Sequence, residues 1–102
     1  MYDTMDELAE AVCDAAVLPD KLRDDVNMSL FHGEPWFAIS VAVCGTTRPL
    51  PAHLLDEVQE DVDELLRDYP PYYVDGMPEA IARQRRALAT CVMDTHGDRT
   101  GT

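Results

Sequence analysis

Apolar residues recur at spacings of three and four along most of this chain, a pattern that predicts a succession of amphipathic helices. Met5, Leu8, Ala9, Val12, Cys13 and Ala16 make the first apolar face, with Asp6, Glu7, Glu10 and Asp14 on the other sides. Thr4-Met5-Asp6-Glu7 reads as a capping box that starts this helix: the Thr4 hydroxyl accepts from the Glu7 amide, and the Glu7 carboxylate reaches back to the Thr4 amide. Leu18-Pro19 closes it, because a residue before proline avoids the helical region. A second helix runs on from Pro19, with Leu22, Val26 and Leu30 inward, Phe31 beside them, and Asp24 and Asp25 outward. Gly33 is its terminating residue.

Pro35 restarts the chain, and the run from Trp36 to Cys44 is ambiguous. Phe37, Ile39, Val41 and Val43 alternate as in a strand, yet the whole run is apolar enough for a central buried helix. Propensity favours the strand. Context favours the helix, since a lone strand among helices leaves its backbone groups without partners. After the loop Gly45 to Pro51, with Pro51 at the first helical position, comes the clearest helix of the chain. Its apolar stripe is Leu54, Leu55, Val58, Val62, Leu65, Leu66 and Tyr69, with Asp56, Glu57, Glu60, Asp63 and Glu64 opposite and Asp61 on the flank. Tyr69 to Gly76, with Pro70-Pro71 inside it, predicts an extended, polyproline-like connection. Pro78 opens a last helix with Ala80, Ile81, Gln84, Leu88, Cys91 and Val92 inward and Arg83, Arg85 and Arg86 mostly outward. Residues 95–102 hold two glycines and no bulky apolar side chain, which predicts a frayed tail after a single helical domain over 1–94.

Composition sharpens this picture in one respect. The chain has 102 residues, 46% of them hydrophobic, enough for one domain with a modest core. Its formal net charge is −12, and the charge is unevenly spread. Residues 1–76 hold 17 acids and 4 bases, whereas residues 77–102 hold 3 acids and 4 bases. A surface with so much like charge repels itself and attracts cations. The i,i+4 pairs Asp56 with Glu60 and Glu60 with Glu64 repel by roughly a few tenths of a kcal/mol each, so the acidic helix face asks for a reason beyond solubility. Lys21 is the one lysine available to compensate it. Direct binding of nucleic acid is disfavoured, because most of the molecule would repel phosphate; Arg83, Arg85 and Arg86 are expected to pair with acidic helices instead.

The segment Leu18-Pro19-Asp20-Lys21-Leu22, the short helix after it, His32-Gly33-Glu34-Pro35-Trp36-Phe37-Ala38-Ile39, and the proline-started helix from Pro51 together resemble the Maf-type immunity proteins. The resemblance covers about residues 17–68, and its centre is the step Gly33-Glu34-Pro35 followed by Ala38 and Ile39. The family pattern usually carries an acid after the aliphatic position, where this chain has Ser40. The resemblance implies a small helical bacterial protein that protects a cell from a cognate toxin. It also implies that residues 36–44 are a buried helix, and hence an all-α, compact bundle of about five helices; the alternative is α+β with a strand at 36–44.

Chemistry is sparse. Cys13, Cys44 and Cys91 form no Cys-x-x-Cys pair and read as free core cysteines in a reducing compartment. His53 with Glu57 and Glu60 has one helical turn of ligand types but no second histidine at that spacing, so no metal and no cofactor is expected. His32 reads as a helix-end residue near the last carbonyls, and Trp36 and Phe37 read as core. No serine or cysteine has an evident base and orienting acid, no loop cradles phosphate, and the sequence predicts no enzyme. No stretch approaches the ~18 apolar residues of a membrane span, and the start lacks a basic, then apolar, leader, which predicts a cytoplasmic location and no membrane contact. The leading expectation is an immunity protein that binds a cognate toxin or other basic protein, of nuclease-like kind, through Asp24, Asp25, Glu57, Glu60, Asp61 and Glu64, with Tyr72 and Tyr73 as anchors. The rival is an acidic DNA mimic, of phage or mobile-element origin, that blocks a nucleic-acid-binding protein. A third reading is a helical interaction subunit without inhibitory role.

Overall fold

The computed structural model describes residues 3–101, with side chains described as far as Thr90; the tail expected over 95–102 and the inward positions Cys91 and Val92 fall outside that side-chain detail. Five α-helices run in order: α1 Met5–Ala15, α2 Asp20–Phe31, α3 Pro35–Gly45, α4 Ala52–Asp68 and α5 Met77–Gly101, with a single 3-10 turn at Pro71–Val74. The fold is all-α, and no strand occurs among the described residues. The alternative of a strand at 36–44 is thereby overturned. Backbone pairing decides this run: with no neighbouring strand, helix is the conformation in which all but the end groups of the backbone find partners within their own segment.

Helix α3 is the centre. It packs against α1, α2 and α5, while α4 packs against α5, the 3-10 turn and α1. The buried core joins Leu8, Val12 and Val26 to Ile39 and Val43 of α3, and continues through Leu55, Val58 and Val62 of α4 to Met77 and Ile81 of α5. Helix α3 is not covered all round, however. Phe37 is 57% exposed and Cys44 is exposed, against the expectation that both are core, because α1, α2 and α5 leave one side of the helix open. Gly45 lets α2 approach closely, since a Cβ there would lie 2.6 Å from Leu22 Cδ1.

Helix ends follow sequence chemistry with small departures. Thr4 Oγ1 accepts from the Glu7 amide at 3.1 Å, but the Glu7 carboxylate takes the Thr4 hydroxyl, at 3.3 Å, in place of the Thr4 amide. Half of the capping box is formed. At the end of α2, Gly33 has φ +72, and the amides of Gly33 and Glu34 donate to the carbonyls of Leu30 and Ser29, a Schellman closure. His32 supplies the C-cap by its backbone amide, and its ring meets Phe31 edge-on at 5.5 Å. Helix α4 begins one residue later than expected, with Pro51 outside it as the N-cap.

The connection after α4 departs from expectation. Instead of an extended polyproline segment, Pro71–Val74 wind into a 3-10 turn, with the amides of Tyr73 and Asp75 donating to Pro70 and Tyr72. Proline's fixed φ suits a 3-10 start as well as an extended chain. Burial of Val74 then favours the turn that carries it inward.

Arg23 ties α2 to α1. Its Nη1 donates to the Cys13 carbonyl and its Nη2 to the Ala16 carbonyl, both at 2.8 Å, satisfying acceptors that the end of α1 leaves free. Arg23→Ala should lower stability by about 1–2 kcal/mol, a loss of roughly 5–15 °C in melting temperature by circular dichroism. A melting point equal to the parent's would remove Arg23 from this role.

Candidate functional site

Helix α4 directs its carboxylates to two sides. Asp56 pairs with Arg85 of α5 at 2.9 Å, an exposed contact of the kind expected for the arginine helix. On the other flank Glu57, Asp61, Glu64 and Asp68 follow one another at spacings of four, three and four, which keeps them along one side of the helix. No described cation pairs with Asp61, Glu64 or Asp68. Burial, and then the charges of Glu64, Glu57 and Glu60, hold the Asp61 carboxyl above its ordinary pKa. Its ionised form is therefore disfavoured by folding, so its contribution favours the native state at low pH and is lost as pH rises through the raised value.

This flank overlooks a cleft of about 390 Å³. Trp36, Tyr69 and Tyr73 supply aromatic walls, Met5 and Leu65 supply aliphatic surface, and Asp61, Glu64 and Asp68 supply carboxylates. A smaller hollow of about 190 Å³ adjoins it, sharing Met5 and Asp61 and adding Glu57. The walls are braced. Trp36 Nε1 donates to the Tyr73 carbonyl at 3.2 Å, Tyr69 meets Tyr73 edge-on at 5.2 Å, and Tyr72 stacks on Tyr73 at 4.8 Å. Hydrogen bonding to Tyr73 raises the Tyr72 phenol above its usual range.

The expected binding residues divide accordingly. Glu57, Glu60, Asp61 and Glu64 lie together on α4, and Asp61, Glu64 and Tyr73 line the cleft. Tyr72 is 70% exposed and Tyr73 46%, so these rings do not close off the core; Val74 and Met77 do that. Asp24 and Asp25 are exposed on α2, which packs on α3 and α1, and neither lines the cleft. Reasoning from sequence missed Met5, Trp36, Leu65, Asp68 and Tyr69 as lining residues. A signal existed for three of them: Leu65, Asp68 and Tyr69 follow Asp61 by four, seven and eight residues. Nothing local points to Trp36, which is half-buried at the start of α3.

Among the described residues no group of three histidine, cysteine, aspartate or glutamate side chains is placed to hold a metal ion, and no helix is long and apolar enough to cross a membrane. Burial pushes the Cys13 thiol up to about 11 and raises Cys44 as well, more than Arg23 and Arg83 respectively lower them, so both thiols stay protonated near neutrality. What the site can do chemically is attract and hold positive charge. Comparison with family models, with curated proteins and with solved structures finds no match to this chain.

Proposed function

We propose that this chain is an immunity protein, a binder without chemistry of its own, that neutralises a basic toxin of nuclease-like kind by covering it with the acidic flank of α4 and the tyrosine turn beside it. The observation that carries this reading is the coincidence, on one surface, of exposed rings with carboxylates that no cation among the described residues pairs: Asp61, Glu64 and Asp68 beside Tyr69, Tyr72 and Tyr73. Carboxylates without internal counter-ions offer long-range attraction to a cationic partner, and rigid tyrosines offer contact area at little entropic cost. A surface selected only for solubility has no need to set aromatic rings among its acids. The resemblance around Gly33-Glu34-Pro35 points the same way, and a cytoplasmic setting accords with it.

The direct test is co-expression with the toxin-sized product of a neighbouring gene, followed by measurement of complex formation as salt is raised. Affinity should fall steeply between about 50 and 300 mM salt, where the Debye length shrinks through roughly 10 Å. Growth should be restored in cells carrying the toxin. A salt-independent complex, or binding to several unrelated basic proteins in competition with DNA, would replace this reading with another.

A further inference from the structure

We propose that the cleft between the start of α1, the first turn of α3 and the second half of α4 is a receptor for one guanidinium group, an arginine side chain of the cationic partner. The proposal deepens the reading of this surface as a protein-binding face and rests on it. A volume of about 390 Å³ is far more than a lone ion fills and lies at the small end of pockets that hold organic groups.

Chemistry of the walls selects the occupant. An anion would meet Asp61, Glu64 and Asp68 and be repelled; a neutral apolar group would take solvent from those carboxylates and return no hydrogen bond. A hard divalent cation needs a tight cage of oxygens, which the described residues do not form. A planar organic cation satisfies both parts of the lining. Its face stacks on Trp36, Tyr69 or Tyr73, and its edge donates N–H groups to the carboxylates. Guanidinium does this better than ammonium, because it is flat, more weakly hydrated and able to donate two parallel bonds.

The cleft is also built in advance. Its indole is pinned by the bond from Trp36 Nε1 to the Tyr73 carbonyl, and Tyr73 is held between Tyr69 and Tyr72. Little ordering is then left to be done on binding. The repulsion that Asp61 feels from Glu57, Glu60 and Glu64 is relieved when a positive charge enters.

Trp36 is the one tryptophan of the chain, so its fluorescence reports on this cleft alone. The full chain is titrated at low salt with N-acetyl-arginine amide, with the corresponding lysine compound, and with the citrulline compound, a neutral isostere of arginine. The arginine probe should give a saturable change with a dissociation constant of about a millimolar, the range of a small ligand bound by a few contacts. The lysine probe should bind several-fold more weakly, and citrulline should not saturate. A Glu64→Gln/Asp68→Asn double variant, altered only at exposed carboxylates, should weaken the arginine probe about tenfold with an unchanged circular dichroism spectrum, and Tyr73→Leu should weaken it too. No saturable response to arginine, an equal response to citrulline, or undiminished binding in the double variant would overturn the proposal. These results are independent of the partner protein: a cleft that ignores arginine while charge reversal on α4 still weakens the complex refutes the pocket and leaves the acidic face standing.

Discussion

Replacing Glu57, Glu60 and Glu64 together by lysine should slow association with the cationic partner by about 10- to 100-fold at low ionic strength, and leave the fold intact. The three positions lie on the same helix and none is buried, so the change reaches solvent and partner without disturbing the core. Stability should change little, because a lysine at 60 attracts Asp56 and a lysine at 57 attracts Asp61, which offsets the repulsion between the lysines at 60 and 64 that replaces that of Glu60 with Glu64. A control separates general attraction from contact. Reversing Asp24 and Asp25 on α2 changes the net charge by four, away from the cleft, and should slow association far less. Stopped-flow rates at several salt concentrations read both effects. Equal slowing per charge by the two sets would assign the attraction to net charge alone, and an unchanged rate in the triple variant at low salt would remove α4 from the interface.

Periodicity made the helices legible, because each has to bury one face and the chain is too short to hide the others. The stripe Leu54, Leu55, Val58 and Val62 is buried as its spacing requires, and so are Leu8, Val12, Ala80 and Ile81. Local chemistry likewise marked Thr4 as a cap and Gly33 as a stop, since these depend on backbone geometry within a few residues. What the pattern could not reveal was set by which helix lies beside which. Phe37 is as apolar as Ile39, yet the first is open and the second fully buried. The far end of the α4 stripe illustrates the same limit: Leu66 and Tyr69 continue the spacing but are 42% and 51% exposed, because the chain turns through Pro71–Val74 before it can cover them.

The candidate site was half legible for the same reason. Acidity on α4 is a property of one helix and shows in the sequence. Its conversion into a cleft needs Met5 from α1 and Trp36 from α3, residues 56 and 25 positions before Asp61, and no spacing rule connects them. Sequence alone does not decide whether Tyr72 and Tyr73 cover the end of the core or stand exposed. Both are exposed, and the bond from Trp36 to the Tyr73 carbonyl supplies the reason that the turn is held where it is.

Gln84→Leu should destabilise the fold by about 2–4 kcal/mol, a fall of roughly 10–30 °C in melting temperature, although leucine is of similar size and more apolar. Gln84 is 4% exposed, and both ends of its amide are engaged. Its Oε1 accepts from the Leu50 amide at 2.8 Å, and its Nε2 donates to the Val43 carbonyl at 2.7 Å. Val43 lies in the last turn of α3, where carbonyls lack partners within the helix, and Leu50 lies in the loop that leads into α4. One side chain of α5 thus satisfies a helix end and a loop that would otherwise bury unpaired polar groups. Leucine fills the space but leaves a buried donor and a buried acceptor, each worth about 1–3 kcal/mol. Arg85→Ala is the contrast on the same helix: its pair with Asp56 is exposed and should matter by about 1 kcal/mol at most. Because Leu50 leads into Pro51 and α4, loosening this tether should also blur the cleft, seen as broadened Trp36 indole resonances well below the melting point. If Gln84→Leu melts no lower than Arg85→Ala, the bridge from α5 to the loop is not what fixes α4 in place.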